Sequence, residues 1–542
     1  MAIPVRLAQI TSLWLGMSLM VALETAADQQ PIFTNAIQRV VQTQASSATG
    51  HFKPLKKVFL SDRAVTCNDG SQAGFYLRKS SNSKKWIIFL EGGWYCYDYN
   101  SCRNRWIKQR HYMTSSKWPE TKDVGGILSP DIKENPYWWS ANHVFVPYCS
   151  SDSWSGSKRS EKQSTFSYMG SSIVLQVVRD LIPLGLENST DLLLAGSSAG
   201  GTGVMLNLDF VDELLHDEMQ LKQVKVKGVT DSGWFLDRTP YVPTIKTAVD
   251  AVRKGMDLWM GRVPRRCREQ YSDEPWRCYF GYRIYPTLKA KLFVFQWLFD
   301  EAQMDADNVG APVTKQQWDY IHKMGDALRH SFQNVTAVFA PSCISHSVLT
   351  KRDWQEVKID DMSIADALHC WERKDNRKIN KRKNYKNKRQ SDRNRVIDTG
   401  EVAGRNLTSG VADDAKRRLR NKPGLRRKRK GKGKKRQPYR NHAANAILSN
   451  DLIARPNVLK RRRSNGRRCA HRRLEKCSWP QCNHSCPKLH DPYTGEEMDF
   501  IELLKSFGLD MESVASALGI DMDTLNNMDQ AELLNMLTQH SS

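Results

Sequence analysis

Short apolar runs recur along the chain, and most segments between them carry apolar residues at helical spacing. Trp86-Ile87-Ile88-Phe89-Leu90 is the clearest strand; His143 to Pro147, Leu192 to Ala195, Val224 to Val229, Leu292 to Leu298 and Val335 to Phe339 follow it. Runs this short and this continuously apolar suit strands buried on both faces rather than on one. Helical spacing marks Ile173 to Leu181, Val204 to Leu215, Thr247 to Met260 and Gln316 to Phe332. From Val58 to about Ser150 the pattern reads as strands and turns. Strands alternating with helices predict an α/β domain with a mostly parallel sheet and helices on both faces. Ligands of such sheets sit beyond the carboxyl ends of the strands.

The ends of the chain differ from this pattern. Arg6 is the one early charge, Leu7 to Leu23 is mostly apolar, and Thr25-Ala26-Ala27 offers small residues for cleavage, so residues 1–27 read as a secretory signal peptide. Gln9, Thr11 and Ser12 interrupt the apolar run and weigh against a membrane anchor. No later run is long enough to span a bilayer. Residues 28–57 read as a leader and 58–372 as the α/β domain. Residues 469–542 form a tail with cysteines first and acidic amphipathic helices after, for which Phe500, Leu503, Leu504, Phe507, Val514, Leu518 and Leu525 are candidate core positions.

Charge adds a fifth region. The chain of 542 residues has 82 Lys+Arg against 58 Asp+Glu, a formal charge of +24, and residues 373–468 hold much of the excess, as in Arg426 to Lys430 and Lys460 to Arg463. With few apolar residues this stretch is expected to be a disordered insertion. Composition alone points to nucleic acid; a signal peptide argues against it. Sulfated glycans, such as the heparan sulfate of glypican proteoglycans, are the basic region's expected partner.

Twelve cysteines, all beyond residue 27, suit an oxidising compartment and full pairing. Cys96 with Cys102 and Cys267 with Cys278 are close enough for local staples, while Cys469, Cys477, Cys482 and Cys486 form a compact terminal cluster. Zinc is the rival reading of that cluster, but it lacks the C-x-x-C pairs of a zinc ribbon. No metal and no cofactor are expected. Asn188, Asn334, Asn406 and Asn483 each begin an N-x-S/T sequon and are candidate glycosylation sites.

The chemistry gathers around Leu192 to Gly203. There an apolar strand runs into Gly196-Ser197-Ser198-Ala199-Gly200, a G-x-S-x-G pattern, and then into a helix. Glycines on both sides let the backbone take the sharp turn that exposes a serine hydroxyl above a sheet, which makes Ser198 the candidate nucleophile. A serine nucleophile needs a base and a third group to orient it. His346 follows the last strand and Asp300 follows the strand before it. Asp231 competes as the acid because it also ends a strand, but the acid must reach the histidine loop. The order Ser198, Asp300, His346 is that of the α/β-hydrolase fold. Glu91-Gly92-Gly93-Trp94-Tyr95 follows the Trp86 strand, and the N–H groups of Gly93, Trp94 and Ala199 are the candidate oxyanion donors. Trp94, Tyr95, Phe235 and Phe280 are candidates for an apolar acyl pocket. The residues alone therefore describe a secreted serine esterase.

Five ordered segments carry a resemblance: Leu90 to Cys96, Ala195 to Gly203, Asp231 to Asp237, Gln296 to Gln303, and Cys343 to His346. Together they resemble the signature segments of the Notum carboxylesterases, secreted palmitoleoyl-protein carboxylesterases of the pectin acetylesterase-like family. The likeness spans about Val58 to Trp371 and resumes in the tail from Cys469 to Met536. It implies removal of palmitoleate from a serine of lipidated Wnt proteins, with Ser198, Asp300 and His346 catalytic, and negative regulation of Wnt signalling. It also implies that Gly93, Trp94 and Ala199 hold the oxyanion and that Trp94, Tyr95, Phe235 and Phe280 line the lipid pocket. Tyr279 stands where the vertebrate pattern has a second Phe, which gives the pocket wall a polar edge. The alternatives are a polysaccharide O-acetylesterase, which would need a small polar pocket, and a catalytically idle glycan-binding Wnt inhibitor.

Overall fold

In a computed structural model the described residues are 53–160, 165–242, 247–309, 312, 314–373, 469–489 and 511–528. The signal peptide, nearly all of the leader and insertion, Asn406, Phe500, Leu503, Leu504 and Phe507 lie outside them.

The strands are β1 (Leu55–Phe59), β2 (Gly74–Arg78), β3 (Lys85–Leu90), β4 (Thr121–Lys122), β5 (Asn142–Val146), β6 (Asp191–Ser197), β7 (Lys225–Asp231), β8 (Lys291–Phe295), β9 (Phe299–Asp300), β10 (Val338–Ala340), β11 (Ile344–Ser345), β12 (Lys358–Ile359), β13 (Met362–Ser363) and β14 (Arg472–Leu474). Among the described residues, ten of them make one sheet in the order β14-β10-β8-β7-β6-β3-β5-β2-β1-β4. From β14 to β5 each neighbour is parallel, and β2, β1 and β4 extend that edge antiparallel. Each of the six apolar runs read as strands in the sequence overlaps one of the parallel strands.

Side chains alternate between two cores, one on each face of the sheet. Ile88, Leu90, Leu192, Leu194 and Val226 join α2 (Gly170–Leu181) and α3 (Ala199–Glu213), through Ile173, Val177, Val204 and Leu208. Ile87, Phe89, Leu193, Ala195, Phe293 and Phe339 face the other way. That second face is covered by the helix at 364–373 and by irregular segments carrying Ile127, Trp138 and Trp354, so the helical cover is unequal. Both layers are needed, because each strand is apolar on both sides.

Two of the elements that the pattern did not show bear on the site and its support. The first is α1 (Tyr99–Lys108), lying where strands and turns were expected; its ten residues bury only Cys102 and Arg105. It forms because Asp98 and Ser101 make a capping box and because the Cys96–Cys102 disulfide closes its first turn. The second is β14, three residues long and two of them arginine, which adds the tail to the sheet beside β10.

The disulfides revise the picture of the terminal cysteines. All twelve cysteines are paired, and the local staples Cys96–Cys102 and Cys267–Cys278 are present. Within the terminal cluster only Cys477–Cys482 is internal; Cys469 bonds Cys370 and Cys486 bonds Cys343. The cluster is thus a strap across the α/β domain, with all four of its sulfurs in disulfides. A loop of 99 residues closed by Cys370–Cys469 contributes about 4–5 kcal/mol by constraining the unfolded chain. Further along the tail, Met511, Ala515 and Leu525 are buried in the same apolar cluster as α2 and α3, so that part of the tail packs on the α/β domain.

Candidate active site

The sharp turn between β6 and α3 begins with Gly196 and ends with Gly200, and both positions admit no side chain. A Cβ on Gly196 would lie 2.4 Å from the Gly200 carbonyl oxygen, and one on Gly200 would lie 2.0 Å from that of Leu90. Between them Ser198 takes φ 58° and ψ −125°, a conformation that costs about 1–3 kcal/mol and needs its surroundings to hold it. Its N–H donates to the Asp231 carbonyl at 2.7 Å, tying the turn to the end of β7. Ser198 is 8% exposed. The N–H of Ala199, at the first position of α3, has no acceptor within the helix.

Asp300 and His346 arrive together on a two-stranded parallel ribbon, β9 with β11, in which Ser345 is opposite Asp300. His346 Nδ1 lies 2.9 and 3.1 Å from the two Asp300 oxygens, which leaves Nε2 as the basic face of the ring. Asp300 is fully buried and caps the helix Glu301–Ala306, accepting from the N–H groups of Ala302 and Gln303; Gln296 Nε2 donates to its other oxygen at 2.9 Å. Burial pushes the His346 imidazole down, but the carboxylates of Asp300, Asp231 and Glu301 together outweigh it, and its pKa rises above the ordinary 6.5. The ring is 23% exposed, within reach of a substrate.

Asp231, the competing acid, has a different task. Its Oδ2 accepts from the Ser197 hydroxyl and from the N–H groups of Val348 and Leu349 at 2.8 and 2.9 Å, while Oδ1 accepts from Ser232 Oγ at 2.9 Å. Ser347 N–H in turn donates to Ser232 Oγ at 3.0 Å. One buried carboxylate therefore joins the serine turn to the loop that carries His346. The tail braces that loop from its other side: Gln481 Oε1 accepts from Ile344 N–H at 2.8 Å, and Gln481 N–H donates to the Ser342 carbonyl.

The Gly92-Gly93-Trp94 loop packs against the serine turn, since a Cβ on Gly92 would lie 2.9 Å from the Ser198 Cβ. Gly93 has φ +140° and Trp94 φ +60°. Trp94 stacks on Tyr95 at 4.9 Å and meets Phe235 edge-on at 6.2 Å; Tyr95 meets Tyr279 at 6.1 Å, and Tyr279 meets Phe280 at 5.6 Å. The four residues expected to form the acyl pocket thus make one connected aromatic group. Tyr279 does not present a loose polar edge to it, because its hydroxyl is buried and pairs with Ser153 Oγ at 3.0 Å.

The profile of one family, pectinacetylesterase, matches residues 49–391. The chain belongs to the pectinacetylesterase family. It is 47% identical to the palmitoleoyl-protein carboxylesterase NOTUM of Drosophila melanogaster, over 94% of this chain and 90% of that one. It is 38% identical to the Homo sapiens protein of the same name, over 90% and 82%. A solved structure, described as the Wnt deacylase Notum from Drosophila, superposes with a TM-score of 0.61 at 48% identity, covering 80% of this chain and all of that one.

The expected glycosylation sites separate by environment. Asn188 and Asn334 are exposed, whereas Asn483 donates its side-chain amide to the Lys358 carbonyl and to Glu475. Among the described residues no helix is long and apolar enough to cross a membrane.

Proposed function

We propose that the chain is a secreted serine carboxylesterase that removes palmitoleate from a serine of Wnt proteins and so restrains Wnt signalling. The observation that supports this reading is the His346–Asp300 pair, on a ribbon whose following loop shares Asp231 with the turn at Ser198. In the proposed mechanism His346 Nε2 takes the proton of the Ser198 hydroxyl as its oxygen attacks the ester carbonyl. Asp300 holds the ring in the tautomer that leaves Nε2 basic and stabilises the imidazolium that forms. The N–H groups of Gly93, Trp94 and Ala199 receive the oxyanion; losing one such donor costs about 3–4 kcal/mol of transition-state stabilisation. His346 then protonates the departing serine oxygen, and water repeats the cycle on the acyl-enzyme. Trp94, Tyr95, Phe235 and Phe280 favour a long apolar acyl chain over acetate, which supports the lipid deacylase over a polysaccharide O-acetylesterase. The paired imidazole and carboxylate speak against an idle inhibitor.

Hydrolysis of octanoyl and acetyl p-nitrophenyl esters tests the reading. Wild type is expected to prefer the octanoyl ester and Ser198→Ala to lose that activity; equal turnover by both proteins would leave only a binding role. The pH profile follows from the raised imidazole. The base must be neutral, so kcat/KM is expected to fall as pH drops through a value above 6.5, and without the Asp300 carboxylate the acid limb should move to lower pH. An acid limb unmoved in Asp300→Asn would separate that carboxylate from the titration.

The basic insertion is proposed to bind sulfated glycans such as the heparan sulfate of glypicans, holding the enzyme at the cell surface. Deleting 373–468 is expected to move elution from a heparin column to lower salt, and an unchanged elution would end that part of the proposal.

A further inference from the structure

The loop after β3 is held by its carbonyl groups. Trp154 Nε1 donates to the Glu91 carbonyl at 3.0 Å, Trp259 Nε1 donates to that of Cys96 at 2.8 Å, and both indoles are buried. Between them the Gly93 carbonyl accepts from Arg105 Nη2. Arg105 lies on α1, one turn beyond Cys102, and is 6% exposed. Its other donors are also committed: Nε to Ser151 Oγ and Nη1 to Gln109 Oε1, both at 2.9 Å. The guanidinium sits over the Tyr112 and Tyr148 rings, 4.9 and 5.8 Å from their centroids. A cation placed this deep, with neutral acceptors on every nitrogen, is costly to desolvate and needs a structural reason.

The Gly93 carbonyl and the Trp94 N–H belong to the same trans peptide and point in opposite directions. Fixing the carbonyl on Arg105 fixes the N–H on the other side of the plane. Gly93 cannot brace that plane itself: it has φ +140°, and a Cβ there would lie 2.7 Å from Tyr112, so the position takes no side chain.

We propose that Arg105 is a positioning residue for the oxyanion site, clamping the Gly93–Trp94 peptide so that the Trp94 N–H faces the developing alkoxide of the ester at Ser198. The proposal rests on the esterase reading above. Arg105 touches no substrate; it acts through one peptide plane, and α1 is the strut that delivers it, pinned at its start by Cys96–Cys102. Lysine cannot replace it, because one ammonium has no planar fork with which to reach three separate acceptors.

The test uses the full chain as wild type, Arg105→Met, Arg105→Lys and Ser198→Ala. Three probes are the octanoyl p-nitrophenyl ester, octyl trifluoromethyl ketone and octanoate. The ketone reports the oxyanion directly: Ser198 Oγ adds to its carbonyl carbon, the hydroxyl proton passes to His346, and the carbonyl π pair becomes the oxyanion. Arg105→Met is expected to lose roughly 10²–10³-fold in kcat with KM little changed, as for loss of one oxyanion donor. Affinity for the ketone should fall by a similar factor while that for octanoate stays. Arg105→Lys, which keeps the charge and most of the stem, is expected to lose roughly tenfold or more in kcat, and it decides the matter if Arg105→Met does not fold. A folded variant with wild-type kcat would overturn the proposal. So would a parallel fall in ketone and octanoate affinity, which marks general damage to the pocket. If Ser198→Ala turned over the octanoyl ester as fast as wild type, the esterase reading would fail first, and this proposal with it.

Discussion

Asp300→Asn is expected to lower kcat on an octanoyl ester about 10⁴-fold while leaving the fold intact, the scale seen when a triad carboxylate is made neutral. Asn is nearly the same size, and its carbonyl oxygen can still accept from Ala302 and Gln303, so the cap on the Glu301–Ala306 helix is retained. What changes is the partner of His346. Asp300 now meets Nδ1 with both oxygens, at 2.9 and 3.1 Å, and stabilises the positive charge the ring acquires. An amide with its oxygen on the cap puts an N–H donor at the second position, 3.1 Å from Nδ1, and carries no charge, so the ring can settle with its proton on Nε2, where it cannot act as a base. Steady-state kinetics with a thermal melt as control checks this. A loss of less than tenfold would mean that another group orients the histidine.

Asp231→Ala should fail in a different way, by losing stability before chemistry. Four donors converge on that buried carboxylate, and two of them are backbone N–H groups of Val348 and Leu349, which the protein cannot turn toward water. Two orphaned buried N–H groups at roughly 1–3 kcal/mol each give a destabilisation of about 2–6 kcal/mol. Because the same carboxylate links the Ser198 turn to the His346 loop, the variant should also have low activity. Asp231→Asn keeps one carbonyl acceptor and is expected to recover part of both. Unfolding by denaturant separates these cases: an unchanged midpoint in Asp231→Ala would show that the loop is held elsewhere.

The contrast between the two acids bears on how far a sequence can be read. Both follow apolar runs, and chain order favours Asp300, but nothing local to Asp231 says that it would collect donors from residues more than a hundred positions away. Arg105 was harder still. Asp98 and Ser101 at capping-box spacing were the available signal for α1, yet a helix of ten residues with so few apolar positions leaves no stripe to detect. Gln481 lay in a segment whose cysteines suggested a self-contained cluster.

By itself the chain determined the parallel strands, the helices that follow them, the serine turn and the order of the three candidate catalytic residues. Those features are written locally, since periodicity of apolar residues and the spacing of glycines act within a dozen positions. Only the tertiary structure decided which carboxylate meets His346, that a charged strand of the tail closes the sheet edge beside β10, and that Cys343 and Cys370 bond cysteines beyond the insertion. It also decided that a buried arginine grips the Gly93 carbonyl. All but the last join groups far apart in sequence, each through a hydrogen bond or a disulfide, and such partners are chosen by which donors and acceptors burial leaves in need of one another.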